Sequence, residues 1–483
     1  MGDFFNHKIV FSVLGRSMVI IAIAFIACMV VASLFGEPLQ PFFISFLVSL
    51  FLGGVLIVAA GKQDAEDTVQ KKDAYLTVTL TWVLMGLVGS IPYLISGSIP
   101  SFVDAFFESI SGFSTTGASI LTDVEVLPKS MLFWRSLTHW IGGIGIIVLV
   151  IIVMPSLRMG SYHLFTLESS LQDKIQPRII SVGKRIVLIY IVLTFTEIVL
   201  LMLGDMNLFE SVCHAFGTVA TGGFSPKNNS IAGYSPYIQY VIAIFMLLAG
   251  TNFVVHYYLF KREFKRVKQN EELWFYLTVV FSITIVVAAS LYFKVGEPLE
   301  KSFRDAFFQV VSIITCTGFA SADYLQWPVF ASGVIFFCMF LGGSTGSTSG
   351  GIKMARHLVL LKNIQRIVRH STSRNAIIPL RINGHTISDE SNSSILTFIS
   401  VYFMLFLIAT TLLVFMGIDG QTSGSAVATC MAGIGPGIGT VGPVSNFAHL
   451  PSMGKWLLSF MMLVGRLEIF TVILLFSRRF WLK

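Results

Sequence analysis

Stretches of about 20 mostly apolar residues, the length a helix needs to cross a bilayer, recur near residues 10–34, 41–60, 74–96, 131–154, 185–204, 236–260, 273–293, 328–351, 394–417 and 452–477. The pattern predicts ten spans. The polar connectors between them alternate in charge. One set carries Lys62, Lys71, Lys72, then Arg158, Lys174, Arg178, Lys184, Arg185, then Lys261, Arg262, Lys265, Arg266, Lys268, then the basic residues from Lys353 through Arg381. The other set holds only Lys129, Lys227, Lys294, Lys301, Arg304 and Lys455. Positive charge is retained on the cytoplasmic side, so an even number of spans places both termini there.

Several shorter apolar pieces are left over in the outer connectors, and they repeat. "DAFFESISGFSTTGAS" begins at Asp104 and "DAFFQVVSIITCTGFAS" at Asp305, each Asp thirteen residues ahead of a T-G pair ending at Gly117 and Gly318. "FESVCHAFGTVATGGFS" ends its first T-G at Gly222, and "TSGSAVATCMAGIGPGIG" has Gly435 in that place without the Thr. The unit predicted is helix, short re-entrant helix, Gly/Thr/Ser loop and second helix, four times over. The fold class is an all-α polytopic membrane protein with four such repeats around a central pore and two extra N-terminal transmembrane helices. Boundaries fall at 1–61 for the two-helix extension and at 62–157, 158–262, 263–370 and 371–483 for the repeats.

Composition agrees: of 483 residues 54% are hydrophobic and 12% charged. The formal charge of +7 lies in short connectors rather than along one face, which reads as topology and not as nucleic-acid binding. Cys28, Cys213, Cys316, Cys338 and Cys430 show neither paired spacing nor a Cys/His ligand pattern, so neither a disulfide framework nor a metal site is indicated. The first apolar run is too long for a signal-peptide core. No HExxH, no GxSxG and no carboxylate pair lies in the spans, so the chain is not read as an enzyme.

Irregular backbone is tolerated at membrane depth only where it is buried in protein or lines a water-filled cavity. Four such loops can meet on one axis and present carbonyl oxygens that replace a cation's hydration shell. The candidate filter residues are Thr115, Thr116 and Gly117; Ala220, Thr221 and Gly222; Cys316, Thr317 and Gly318; and Gly433, Ile434 and Gly435. Oxygen rings without fixed carboxylates suit a weakly hydrated monovalent ion.

The run "GGSTGSTSGG", Gly342 to Gly351, has the composition of a surface linker. Pro328 to Leu341 gives only roughly 21 Å of helix before it at about 1.5 Å per residue, short of the roughly 30 Å a span needs, so the run lies within the membrane. No P-loop order follows it. It sits 24 to 33 residues after Gly318, and Arg466 sits 31 after Gly435. Gly250, Thr251 and Asn252, and Gly142, Gly143 and Gly145, occupy the corresponding stretches after Gly222 and Gly117. An Arg in mid-span should face the bundle interior or water; one role for Arg466 is an ion pair with Glu468. The other is a barrier beneath the filter, formed with Gly342, Gly343, Ser344, Thr345, Gly346, Ser347, Thr348, Ser349, Gly350 and Gly351. Asp104 and Asp305 read as caps of the short helices, and His139, His214 and His256 as packed or hydrogen-bonding residues. The rival to a channel-like conduit is a carrier coupled to a sodium or proton gradient.

The stretches "STTGAS", "PKSMLFWRSLTHWIGGIGIIVL", "ATGGFS", "TCTGFAS", "GGSTGSTSGGIK", "GPGIG" and "GRLEIF" resemble the membrane subunit of the Trk/Ktr/HKT cation transporter superfamily, most like the bacterial TrkH type. The resemblance spans residues 74 to 477, and the two helices before residue 61 fit the TrkH type better than the Ktr type. It implies potassium uptake with some sodium permeability, potassium as substrate at the filter residues, and no cofactor on this chain. It also implies a homodimer in the bacterial inner membrane and a cytoplasmic TrkA-type ring binding NAD(H) or ATP/ADP, and it assigns the intramembrane loop and the mid-span Arg to the gate. In the fourth loop Ala432 and Gly433 stand where the family pattern has an Asn pair.

Overall fold

The computed structural model describes residues 5–61, 70–152, 175–373 and 378–482, without the side chains of 146–152, 175–182, 479 and 482. Lys62, Arg158, Lys174 and Arg374 lie outside the described residues, as does the side chain of Arg178. The protein is an all-α polytopic membrane protein. Among the described residues the strands are confined to one hairpin, β1 (Arg381–Ile382) and β2 (His385–Thr386), paired antiparallel around Asn383 and Gly384. Both turn residues have positive φ (50° and 79°), the twist a two-residue hairpin turn requires.

Two helices, α1 (His7–Leu34) and α2 (Gln40–Ala60), precede the repeats. They cross where Gly15 meets Gly53: a Cβ on Gly15 would stand 2.8 Å from the Gly53 carbonyl oxygen. Small residues let helix backbones approach where lipid offers no hydrophobic drive, and Ser49 Oγ donates to Met18 O (2.8 Å) in the same seam. Deeper in, Phe25 of α1 lies 4.6 Å from the fully buried Trp134, whose indole donates to Gly89 O (3.1 Å). The extension is thereby packed onto the first repeat.

The first helix of each repeat is α3 (Lys71–Ile95), α6 (Ile175–Leu203), α11 (Glu271–Val295) and α15 (Asp389–Phe415). The short helices are α4 (Phe102–Phe113), α7 (Leu208–Val219), α12 (Leu299–Ile314) and α16 (Gly420–Ala432). The second helices are α5 (Lys129–Ile152), α8 (Pro236–Ala249) with α9 (Phe253–Phe260), α13 (Val329–Cys338) with α14 (Met354–Thr372), and α17 (Ser452–Arg466) with α18 (Phe470–Ile473). A short α10 (Phe264–Lys268) and a terminal α19 (Arg478–Leu482) complete the set. Among the described residues six helices are long and apolar enough to cross a membrane. The bent pairs α8/α9 and the α17 segment with 470–476 add two more, turned by 100° and 112°. A sharp turn in an otherwise apolar span exposes backbone groups, so it is stable only where protein covers it.

The short helices are not amphipathic surface pieces. Every residue of α4 from Ala105 to Phe113, and of α16 from Thr422 to Ala432, is buried, so protein surrounds them on all sides. Their first turns are capped by Ser101, Asn207 and Asp419, whose side-chain oxygens accept from Asp104 N, Glu210 N and Thr422 N. The expectation that Asp104 and Asp305 are the caps is therefore corrected. Asp104 sits inside the first turn and pairs with Lys455 (2.5 Å), joining the first repeat to the fourth. Asp305 lies within the longer α12 and accepts from Ser321 Oγ (3.4 Å).

Candidate functional site

Each short helix ends the same way. The residue after its last turn takes positive φ, at Thr115 (53°), Thr221 (53°), Cys316 (57°) and Gly433 (73°). The next amide reaches back five residues, Thr116 N to Ser111 O, Gly222 N to Gly217 O, Thr317 N to Ser312 O and Ile434 N to Thr429 O (2.8 to 2.9 Å). A left-handed residue followed by such a long backward bond is a helix C-terminal closure. It turns the chain outward, where a second positive φ falls at Gly117, Gly223, Gly318 and Gly435. The backbone thus corrects the register of the second loop by one residue. Gly223, not Gly222, is the partner of Gly117, Gly318 and Gly435, and Ala220 closes its helix as Ser114 and Thr315 close theirs.

The four loops touch in cyclic order. A Cβ on Gly117 would collide with the carbonyl oxygen of Gly222, on Gly223 with that of Thr317, and on Gly318 with that of Ile434. On Gly435 it would meet the carbonyl oxygens of Thr116 (2.8 Å) and Gly117 (3.0 Å), which closes the ring. Glycine is needed at these places because the neighbouring backbone stands where a side chain would. Above the ring a cavity of about 160 Å³ is lined by the same four glycines together with Arg135, Lys227, Asn446 and Phe447.

In the fourth loop, Gly433 occupies the left-handed position that Thr115, Thr221 and Cys316 hold elsewhere. A non-glycine residue there costs roughly 1–2 kcal/mol. Glycine takes this conformation without that cost, and the same closure is made.

Directly beneath the ring, the second helices press on the ends of the short ones. A Cβ on Gly142 would strike Phe113 O, on Gly350 Ala432 O, and on Gly465 Met431 O; on Gly250 it would meet the Thr315 side chain at 2.7 Å. α13 ends at Cys338, sooner than Leu341 where the sequence placed its end. The run Gly342–Gly351 that follows is buried rather than free: Ser344, Ser347, Thr348 and Ser349 are each less than 5% exposed. Ser344 N donates to Gly250 O (2.8 Å), Thr348 Oγ1 to Val219 O (3.0 Å), and Gly343 N to Ser349 Oγ (2.9 Å). Thr345 N and Ala355 N, from the loop and the start of α14, share one oxygen of Glu272 (2.6 and 3.1 Å). The Lys353 ammonium donates to Ser349 O.

Arg466 points into this layer. Its Nη1 donates to Thr348 O (2.8 Å) and its Nη2 to Gly142 O (3.1 Å). The alternative pairing with Glu468 is not made, because that carboxylate accepts from Arg356 of α14, whose guanidinium lies 3.7 Å over the Phe398 ring. The break after Arg466 has positive φ at Glu468 (60°) and Ile469 (24°). The loop and Arg466, from different repeats, therefore form one hydrogen-bonded layer below the ring.

The three histidines are held as hydrogen-bonding residues. His139 Nδ1 accepts from Phe224 N (3.4 Å) and its ring stacks on Phe224, while His256 Nε2 faces Leu248 O (2.8 Å). His214 bridges Glu210 O (2.8 Å) and Ser225 Oγ (3.0 Å). Sequence reading missed Gly223, Glu272 and Arg356. The doubled glycine of "ATGGFS" signalled the first; the acidic pair closing "KREFKRVKQNEE" in a basic connector signalled the second. Nothing local marked Arg356.

Residues 38–482 match the TrkH family, described as cation transport protein. The chain is 34% identical over 444 residues to the Trk system potassium uptake protein TrkH of Escherichia coli K12, covering 90% of this chain and 91% of that one. It is 32% identical to the Trk system potassium uptake protein TrkH of Halomonas elongata, covering 99% of both. Its fold superposes on the crystal structure of the potassium transporter TrkH from Vibrio parahaemolyticus with a TM-score of 0.90 at 30% identity, over 98% of this chain and 99% of that one. With its four re-entrant repeats and this coverage, the chain belongs to the TrkH family of cation transport proteins.

Proposed function

We propose that this protein takes up potassium, with some permeability to sodium, through a pore whose filter is the ring of four loops. The observation that carries the reading is the closure of that ring by backbone alone, Gly117 against Gly222 O, Gly223 against Thr317 O, Gly318 against Ile434 O and Gly435 against Gly117 O. Neutral carbonyl oxygens in rings replace the water around a weakly hydrated cation. The C-termini of α4, α7, α12 and α16 aim their partial negative charge at the same place. Three non-glycine residues with positive φ, Thr115, Thr221 and Cys316, persist in such geometry only where the surroundings over-determine it, a mark of functional sites. The curated relatives named as potassium uptake proteins favour potassium as the substrate.

The loop Gly342–Gly351 and Arg466 act as the gate. A fixed positive charge in the path repels cations, and the loop fills the space beneath the ring. Opening moves the loop about Gly346 and Gly351, both at positive φ (76° and 68°). The chain carries no catalytic group in this reading and binds no cofactor of its own. It works as a homodimer in the bacterial inner membrane with both termini inside. A TrkA-type ring that binds NAD(H) or ATP/ADP docks on the basic cytoplasmic connectors. The repeats divide at 62–157, 158–262, 263–370 and 371–483. Rubidium flux into liposomes containing the purified protein, with potassium and then sodium as competitor, tests the reading: preferential block by potassium is expected, and equal block by both ions overturns it.

One observation favours a coupled carrier. Glu197 of α6 is fully buried in a membrane span, beside Thr218 of α7, and buried acids in spans mark ion or proton relays. Potassium accumulation that follows an imposed proton gradient in the native protein and is lost in Glu197→Gln would establish that reading.

A further inference from the structure

Behind the ring, one side chain from each short helix grips the outward-running strand of its own loop. In the first three repeats that side chain stands seven residues before the left-handed residue: Glu108 before Thr115, His214 before Thr221, Gln309 before Cys316. In the fourth it is Ser425, eight before Gly433. All four are fully buried. Glu108 accepts from Ile120 N (2.9 Å) and Ser119 Oγ (3.0 and 3.1 Å). The His214 Nδ1–H donates to Glu210 O, so its Nε2 is left to accept from the Ser225 hydroxyl (3.0 Å). Gln309, with its amide oxygen facing the loop, accepts from Ser321 N (2.7 Å) and Ala322 N (3.3 Å). Ser425 Oγ donates to Ile438 O (2.7 Å) and accepts from Ile438 N (2.9 Å). The strapped residues all lie four to six positions beyond the left-handed residue.

An acid, an imidazole, an amide and a hydroxyl thus do one job in four repeats whose helix sequences differ. We infer that Glu108, His214, Gln309 and Ser425 are positioning residues that set ion selectivity, by fixing the spacing of the carbonyl ring. The inference rests on the filter reading above. Potassium and sodium differ in size, so a ring of carbonyls discriminates between them only as far as its spacing or coordination number is held. A strand tied to a buried helix through one or two hydrogen bonds cannot close onto the smaller ion. The first strap also ties repeats together: Arg135 Nε pairs with Glu108 (2.9 Å), its Nη1 donates to Ser225 O of the second loop (3.2 Å), and its guanidinium lies 4.0 Å over Phe224. Tension in the first two loops is shared through it.

The test is the potassium-to-sodium flux ratio of the full-length protein in liposomes, measured for His214→Ala, His214→Gln and Ser425→Ala, with Gly223→Ala alongside. Loss of one strap is expected to lower the ratio roughly two- to tenfold, the range set by one ordinary hydrogen bond, while total cation flux is retained. His214→Gln, which keeps an acceptor for Ser225, should recover most of the ratio. Ser425→Ala removes a single oxygen and keeps the measurement available if His214→Ala does not fold. A wild-type ratio in Ser425→Ala and in folded His214→Ala, or a ratio in His214→Gln no better than in His214→Ala, overturns the inference. If Gly223→Ala also leaves both flux and ratio unchanged, the filter reading itself fails; if it alters them while the strap variants do not, only the straps are refuted.

Discussion

Arg466 Nη1 donates to the carbonyl oxygen of Thr348 across 118 positions of sequence, at 2.8 Å and out of contact with solvent. The bond joins a bent helix of the fourth repeat to the broken helix of the third. Its Nη2 reaches Gly142 O in the first repeat, so one guanidinium holds three of the four repeats at the layer below the ring. The planar fork of Arg suits this role as a point charge does not.

Replacing Arg466 by Ala removes the charge and both bonds. Hydrogen bonds to a charged donor contribute about 1.5–3 kcal/mol each, and about 1.4 kcal/mol is a factor of ten. With both bonds lost, rubidium flux without any cytoplasmic partner should therefore rise at least roughly 100-fold. Arg466→Lys, with the charge but no fork, should fall between the two. Flux through Arg466→Ala equal to that of the native protein would remove Arg466 from the gate.

The one-residue register of the second loop separates two adjacent glycines. Gly223 has φ of 80° and would drive a Cβ into Thr317 O, a backbone atom of the next repeat; on Gly222 the nearest obstacle is the ring of His139. Gly223→Ala should abolish selective flux, and shrinking His139 should not restore it. Gly222→Ala should also be impaired, but the double variant Gly222→Ala with His139→Ala should regain flux, because the obstacle is a side chain. Rescue of Gly223→Ala by the His139 change would return the register to the one read from the T-G pairs.

Much of this site was legible in the chain because its cause is local. A fourfold recurrence of short apolar helix, Gly/Thr loop and second helix follows from the letters, and so does the depth at which "GGSTGSTSGG" must lie. The register of "ATGGFS" was not, since T-G stands at the expected spacing and only backbone dihedrals choose between two neighbouring glycines. The partners of Arg466 were missed for a different reason. A mid-span Arg calls for acceptors, and Glu468 two residues away was the obvious one. The turn at Glu468 and Ile469 instead sends that carboxylate to Arg356 on another repeat. Pairings set by where helices bend in three dimensions leave no spacing to read.

Trp134 supports the first repeat from behind. It is fully buried, 4.6 Å from Phe25 and 6.0 Å edge-on from Phe113, and its indole bonds Gly89 O. Trp134→Ala should lower stability by about 3–5 kcal/mol. Thermal unfolding in detergent, followed by circular dichroism with and without potassium, checks this. A drop of less than about 1 kcal/mol would mean that the extension is not packed through this residue.

Glu271 and Glu272 are adjacent, yet they hold different parts of the molecule. Glu271 pairs with Lys362 of α14 and exchanges bonds with Asn383 in the hairpin turn, its N–H to Asn383 Oδ1 (2.8 Å) and its Oε1 from Asn383 N (3.0 Å). Glu272 holds the loop through Thr345 N and the start of α14 through Ala355 N. The first turn of α11 therefore ties the β1/β2 hairpin to the Gly342–Gly351 loop, so displacement of one is felt by the other. Glu272→Ala leaves two N–H groups without an acceptor, which should loosen the loop and raise partner-free rubidium flux several-fold, up to roughly tenfold. Glu272→Gln keeps a carbonyl oxygen in place and should gate almost normally, since an acceptor rather than a charge is what the two amides need. Cys316 supplies a second readout, because its Sγ lies 3.9 Å from Leu341 O at the start of the loop and is fully buried. A small thiol reagent applied from the cytoplasmic side should label it faster in Glu272→Ala than in Glu272→Gln, with Cys316→Ser as the blank. Equal flux and equal labelling in the two variants would show that Glu272 does not hold the loop shut.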